Sequence, residues 1–477
     1  MEDARFLDEF RPFRRGELAL ARRTTSDPGF LPAAERDLFR YALRLAQLSS
    51  LEARDDLVEP IASFRLRLLQ FLGPTLPTDP DRIHAGPLSE LAPRVAHMVS
   101  RARQQVVNAG LASEARLDEV IVDKRVSLVL GGAGGAGFVF LGAHAELEEA
   151  GITPAYQLGA SIGALLAMLR ARTSHYDLEG LLEQAKRIES GKLYGPPQPP
   201  GRYGLPGALR FDPRAALEFF FTHEGEPIRL CDLRIPTDAL ATGLRPAALT
   251  RSREDYAGIV GVHIDDPDEV THLRPAAMTR VASVLVELAV SRRVFVPVLL
   301  GADADTADLE AMDAAGFSAS IPALLHYDIF RSDQQTEAIL GRIFDRHGLT
   351  ALVDGAFVEL IPARRAWQTL EEGRIDTRNT WIVGLDALVA SAGGNRLMRP
   401  VRQVLAATLQ RDRPWWDLYV PFPDTPFVLD IVPRPEMLRR AAEAGRKSMA
   451  DAVRVLRSGT APLPRWAEIE AAIPVWD

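Results

Sequence analysis

Two short stretches carry the residue types from which anion-binding or hydrolytic chemistry is built. The first is Gly132 to Gly137 (GAGGAG), directly after the β-rich run Arg125 to Leu130 (RVSLVL). Glycines after a strand let backbone N–H groups at a helix start face an anion, and the same arrangement serves a pyrophosphate, a bound phosphate or a transition-state oxyanion. The second is Gly159 to Gly163 (GASIG), a G-x-S-x-G pentapeptide set between a short strand signal and the helical run Ser161 to Arg170 (SIGALLAMLR). Such an elbow needs a tight turn. Gly159, Ala160 and Gly163 supply the small residues, and Ser161 stands at a helix N-terminus, where the dipole favours developing negative charge.

Taken alone, GAGGAG also fits the glycine fingerprint of a dinucleotide-binding fold. That fold requires an acidic ribose-binding residue about 20 positions on, and here the position holds Gln157 and Leu158. A serine nucleophile requires a base. Nine histidines are present, but none lies in a recognisable Gly/Pro-flanked catalytic loop, and none is assigned a role. The better candidate is Asp354 in the run Ala351 to Phe357 (ALVDGAF), at the end of an apolar strand with Gly355 giving the backbone room to turn. The bland alternative is an Asp-Gly turn.

The elements that must position these residues are legible as alternating signals. Apolar residues recur at helical spacing from Glu35 to Gly73, and no strand signal precedes Val122, which predicts a helical extension of residues 1–122. From Arg125 the pattern becomes strand, glycine loop, helix to Ala150 with Gly151 as its C-cap, a strand over Pro154 to Leu158, and helix again. Further strands are expected within Arg234 to Leu244, at Leu352 to Asp354 and over Thr380 to Leu385. Repetition of strand and helix predicts a parallel sheet with helices on its faces. The apolar stretch Val281 to Leu300 reads as a buried core helix. It carries Glu287, Arg292 and Arg293 and is no membrane span. A helix is expected over Pro435 to Arg457, ending before Gly459. Two similar octapeptides, Leu244 to Arg251 and Leu273 to Arg280, are too few to make a repeat array.

At 477 residues, 47% hydrophobic and 25% charged, the chain has the composition of a globular protein, and a net charge of −8 argues against nucleic acid as a partner. The single cysteine, Cys231, excludes an internal disulfide and a multi-cysteine metal cluster. With no apolar signal-peptide core between Met1 and Arg23, a cytoplasmic location is expected.

The order of a GAGGAG loop, GASIG and, much later, DGA resembles the patatin-like phospholipase family, whose pattern is G-G-G-x-R/K-G, then G-x-S-x-G, then D-G-A/G. The run Arg234 to Thr242 (RIPTDALAT) is similar to that family's central strand, and Ser318 to Pro322 (SASIP) resembles a stretch ahead of its aspartate. The resemblance covers Arg125 to about Leu385. It implies an α/β fold: a hydrolase core over 123–390 with a mainly parallel sheet between helices. It explains neither end of the chain; there the apolar spacing gives the helical N-terminal extension and a mainly helical segment over 391–477.

It further implies Ser161 as nucleophile and Asp354 as sole base, a dyad without histidine. The oxyanion hole would come from the loop of Gly132, Gly134, Gly135 and Gly137 with the N–H of Ile162, and Gly159 and Gly163 would frame the elbow. No metal or organic cofactor is implied. The partner implied by the resemblance is a lipid or lipid-like ester, with peripheral membrane contact as an option and the oligomeric state left open. Two positions depart from the pattern: Ala133 replaces a loop glycine, and Ala136 stands where the family has Arg or Lys. The missing cation leaves two readings, an acyl hydrolase with an altered substrate preference and a catalytically weakened module that binds lipid or protein. On the first, returning an arginine at position 136 is expected to favour anionic phospholipids.

Overall fold

The β-branched and leucine-rich run at Arg125 opens the central sheet seen in a computed structural model of the chain. The structure describes residues 2–51, 60–198, 201–260, 294–388 and 409–473, together with 280–281, 283–285, 287 and 288. The second octapeptide copy and the segment 389–408 lie almost wholly outside these residues.

Seven strands form that sheet: β1 (Arg125–Leu130), β2 (Tyr156–Ala160), β3 (Thr237–Leu244), β4 (Phe295–Leu300), β5 (Ala351–Asp354), β6 (Thr380–Asp386) and β7 (Leu418–Pro421). The fold class is α/β, with a mostly parallel sheet flanked by helices and helical N- and C-terminal regions. β2 pairs with β3 in parallel, as β6 does with β7, while β4 and β5 both run antiparallel to β3.

The register on β3 decides where the chemistry falls. β2 follows β3 upward and ends with Ala160 opposite Leu240; β5 descends and ends with Asp354 opposite Ala241. β4 covers Ala239 to Leu244, so β2 and β5 share the other edge. Two strand ends therefore meet head-on at consecutive residues of β3.

Two features differ from the expected elements. FVPVLL at the end of the long apolar stretch is the strand β4 and not part of a core helix, because a short apolar run has no periodicity to separate the two and its Phe and Val content favours the sheet. The C-terminal helix runs Pro435–Thr460, straight through Gly459, whose position against the Trp381 ring leaves no space for a side chain.

In the N-terminal region, α1 (Glu2–Ser26), α2 (Ala33–Gln47), α3 (Ala62–Leu72), α4 (Ala85–Asn108) and α5 (Glu114–Val122) bury a common apolar core that includes Leu38, Phe39, Leu45, Leu68, Val95 and Ile121. Within it Glu17 accepts from Arg44 at 2.8 Å and from Lys124 at 2.7 Å, all three side chains being fully or almost fully buried. Burial alone would raise the Glu17 pKa, but the two cations hold it down to about 2. Next to the sheet, α6 (Phe140–Glu149) ends on Gly151 at φ +71°, the left-handed residue its C-terminus needs.

The chain divides into two compact units, one of residues 1–127, 367–382 and 451–477, the other of residues 128–366 and 383–450. No described helix is long and apolar enough to cross a membrane.

Candidate active site

The elbow is built by β2 and α7 (Ile162–Ala171), with Ser161 between them at φ 57°, ψ −133°. A residue with a Cβ pays about 1–3 kcal/mol for such backbone, and it persists only where the surroundings over-determine it. Here small residues make the turn feasible. A Cβ at Gly159 would lie 2.3 Å from the Ala164 nitrogen, and one at Gly163 would lie 2.4 Å from the Leu130 carbonyl oxygen.

The strained turn projects Ser161 Oγ at Asp354. The hydroxyl donates to Asp354 Oδ2 at 2.5 Å, while Oδ1 of the same carboxylate accepts from the Ala356 N–H at 2.8 Å. Thr242, on β3, donates from Oγ1 to the Asp354 carbonyl at 2.8 Å, and the Asp354 N–H donates to the Ser320 carbonyl at 2.9 Å. Both Ser161 and Asp354 are buried. Burial pushes the Asp354 pKa up to about 7, against the opposing hydrogen bonds from Ser161 and the Ala356 N–H.

No histidine among the described residues bonds to either side chain. His144 is enclosed beside Tyr176 and its pKa is lowered by burial to about 3; His326 is enclosed beside Asp328. His263 and His272 lie outside the described residues. Among the described residues no cluster of three His, Cys, Asp or Glu side chains is arranged to hold a metal ion.

Around the serine the five expected oxyanion donors separate. The Gly132 N–H donates to the Leu360 carbonyl at 3.0 Å and the Gly135 N–H to the Val428 carbonyl at 2.9 Å, so neither is free for a ligand. This corrects the expectation for those two residues. Gly137 lies inside a 3₁₀ turn over Gly134–Val139, where Ile162 packs so closely that a Cβ would sit 2.4 Å from its Cγ2. Gly134, at φ +51°, and Ile162, first in α7, keep amides without a protein acceptor among the described residues, as does Ala133. Ala133 was not among the expected donors, and a backbone amide leaves no mark in the side-chain pattern by which it could be found.

A cavity opens from Ser161, enclosing about 950 Å³ of space between protein atoms, mouth included. Its walls include Phe138, Leu165, Leu169, Phe211, Phe220 and Ile431, and among the described residues no lining side chain is charged. Tyr194 brings a hydroxyl, which donates to the Ile431 carbonyl at 3.0 Å. Ala136 is fully buried in the loop.

A strained serine at a strand-to-helix elbow, facing a carboxylate beside an apolar cavity in an α/β fold, defines a class of nucleophile-elbow proteins. Residues 128–367 match the family model described as patatin-like phospholipase, about half of the chain, and the protein belongs to that family. Its members are lipid acyl hydrolases in general. None of the curated proteins matches the chain.

Proposed function

We propose that the protein is a serine acyl-ester hydrolase acting on lipid acyl esters, of the phospholipase A or lysophospholipase kind, through a Ser161–Asp354 dyad. The direct hydrogen bond of 2.5 Å between the two side chains carries the reading. Asp354 accepts the Ser161 proton as Oγ attacks the ester carbonyl carbon. The resulting oxyanion is held by the amides of Gly134 and Ile162, joined by that of Ala133, at the positive end of α7. Collapse breaks the ester C–O bond, and the proton returns from Asp354 to the departing alcohol. Water then attacks the acyl-enzyme with Asp354 again as base, which releases the fatty acid and restores Ser161.

A pKa near 7 suits a base working at neutral pH, because a large fraction is ionised while its basicity exceeds that of an ordinary aspartate. The apolar cavity accommodates an acyl chain, and the uncharged lining among the described residues favours uncharged esters over anionic head groups. The free thiol of Cys231 fits a reducing, cytoplasmic compartment, with substrate met at a membrane surface.

A second reading, a module that binds lipid without turnover, is favoured by Ala136 and by the engagement of the Gly135 amide with Val428. Incubation of wild type and Ser161→Ala with mixed membrane lipids, followed by mass analysis of released fatty acids, decides between them. Release by wild type alone supports the hydrolase; equal release by both, or none, rejects it.

A further inference from the structure

Ser318, first residue of the SASIP run, is the last residue of α9 (Ala311–Ser318), counted in chain order with α8 (Leu178–Ala185), and is fully buried. Its hydroxyl accepts from the Ser161 N–H at 2.9 Å and donates to the Leu240 carbonyl at 2.6 Å. Leu240 is the residue opposite Ala160, the last of β2. At this point the backbone leaves the sheet for the strained conformation of Ser161, and the ladder between β2 and β3 stops. The Ser161 N–H and the Leu240 carbonyl would both be stranded in the interior, a costly state for backbone polar groups. A hydroxyl is donor and acceptor at once, and this one serves both.

We propose that Ser318 is a positioning residue for the hydrolysis: its bridge between the Ser161 N–H and the Leu240 carbonyl holds the strained elbow so that Ser161 Oγ points at Asp354. The proposal rests on the reading of Ser161 as nucleophile. Ser127 on β1 supplies a control from outside the site, since it is also fully buried but its hydroxyl pairs with that of Thr380, at 2.9 Å.

The test compares full-length wild type, Ser318→Ala, Ser318→Cys and Ser127→Ala. The readouts are kcat and KM on an uncharged short-chain ester, the rate of phosphonate labelling of Ser161, and melting temperature. A nucleophile displaced by about 1 Å loses roughly 100-fold. Ser318→Ala is therefore expected to lower kcat and labelling by roughly 10–100-fold, with KM within about twofold and an unshifted pH profile. Ser318→Cys, which keeps the size and a weak hydrogen bond, falls between if the alanine variant does not fold. Ser127→Ala is expected to lose stability without losing kcat.

Activity that falls in both variants in step with melting temperature, or an undiminished kcat in Ser318→Ala, overturns the proposal. A crystal structure of Ser318→Ala separates the positioning role from the reaction itself. An elbow still at positive φ with Oγ on Asp354 refutes the positioning role even if wild type proves inactive. A collapsed elbow supports it whatever the reaction.

Discussion

Ser161 and Asp354 stand 193 positions apart in the chain, yet each lies where a strand stops against β3, at the consecutive residues Leu240 and Ala241. The two ends share one edge of that strand, so the hydroxyl reaches the carboxylate directly and leaves no room for an imidazole between them.

Asp354→Asn is expected to lower kcat by roughly 10²–10⁴-fold, because the amide keeps the shape but cannot accept a proton. Single His→Ala changes are expected to leave substantial turnover. Steady-state kinetics on one ester checks both, and a histidine variant as damaged as Ser161→Ala would refute the dyad.

The raised Asp354 pKa predicts opposite pH trends for activity and stability. Activity needs the carboxylate, so kcat/KM should rise with pH and reach half its plateau near 7. The sign for stability is reversed. The folded pKa lies above the ordinary value of 3.8, so the contribution of protonated Asp354 is fully present below about pH 4 and is lost as pH rises through 7, at about 1.4 kcal/mol per pH unit. Asp354→Asn should lack this slope and melt above wild type at pH 8. Denaturant titrations of both proteins between pH 5 and pH 8 measure it, and parallel pH dependences would show that Asp354 does not titrate there.

The elbow strain is readable as a difference between two inactive variants. Ser161→Ala and Ser161→Gly both lose the hydroxyl, but only glycine accepts φ 57° without a penalty. We expect the glycine variant to be the more stable by about 1 kcal/mol in urea unfolding. Equal stabilities would indicate an elbow without strain.

Ala136→Arg, which by family pattern alone would favour anionic phospholipids, has a different expected outcome given the full burial of Ala136. A guanidinium forced into the packed loop is expected to cost a few kcal/mol, seen as a lower melting temperature with no gain in phospholipid turnover. A stable variant with raised activity on anionic lipids would show that the loop opens to admit the side chain.

Buried Glu17 offers a test remote from the chemistry. Glu17→Ala leaves Lys124 and Arg44 without their shared carboxylate and is expected to destabilise the N-terminal region by about 3–5 kcal/mol. Hydrogen exchange in α1 and α2 reports the loss, and unchanged protection would show that the cations find other acceptors.

What the sequence determined by itself is local. The β-rich run of β1, the G-x-S-x-G turn, the Gly151 cap and the Asp-Gly at a strand end are set by side-chain shape and backbone freedom within a few residues. Those forces act the same way in any fold, so the residues of the candidate site could be named before their positions were known. Tertiary structure decided which of them meet. The register on β3 brings Asp354 to Ser161, and α9 delivers Ser318 to the same junction. The Leu360 and Val428 carbonyls take up the amides of Gly132 and Gly135, while those of Ala133, Gly134 and Ile162 are left without an acceptor among the described residues. A backbone amide carries no record in the sequence of its acceptor, because every residue but proline has one and distant segments choose its partner. For the same reason FVPVLL could be read as helix or strand until β3 supplied its ladder.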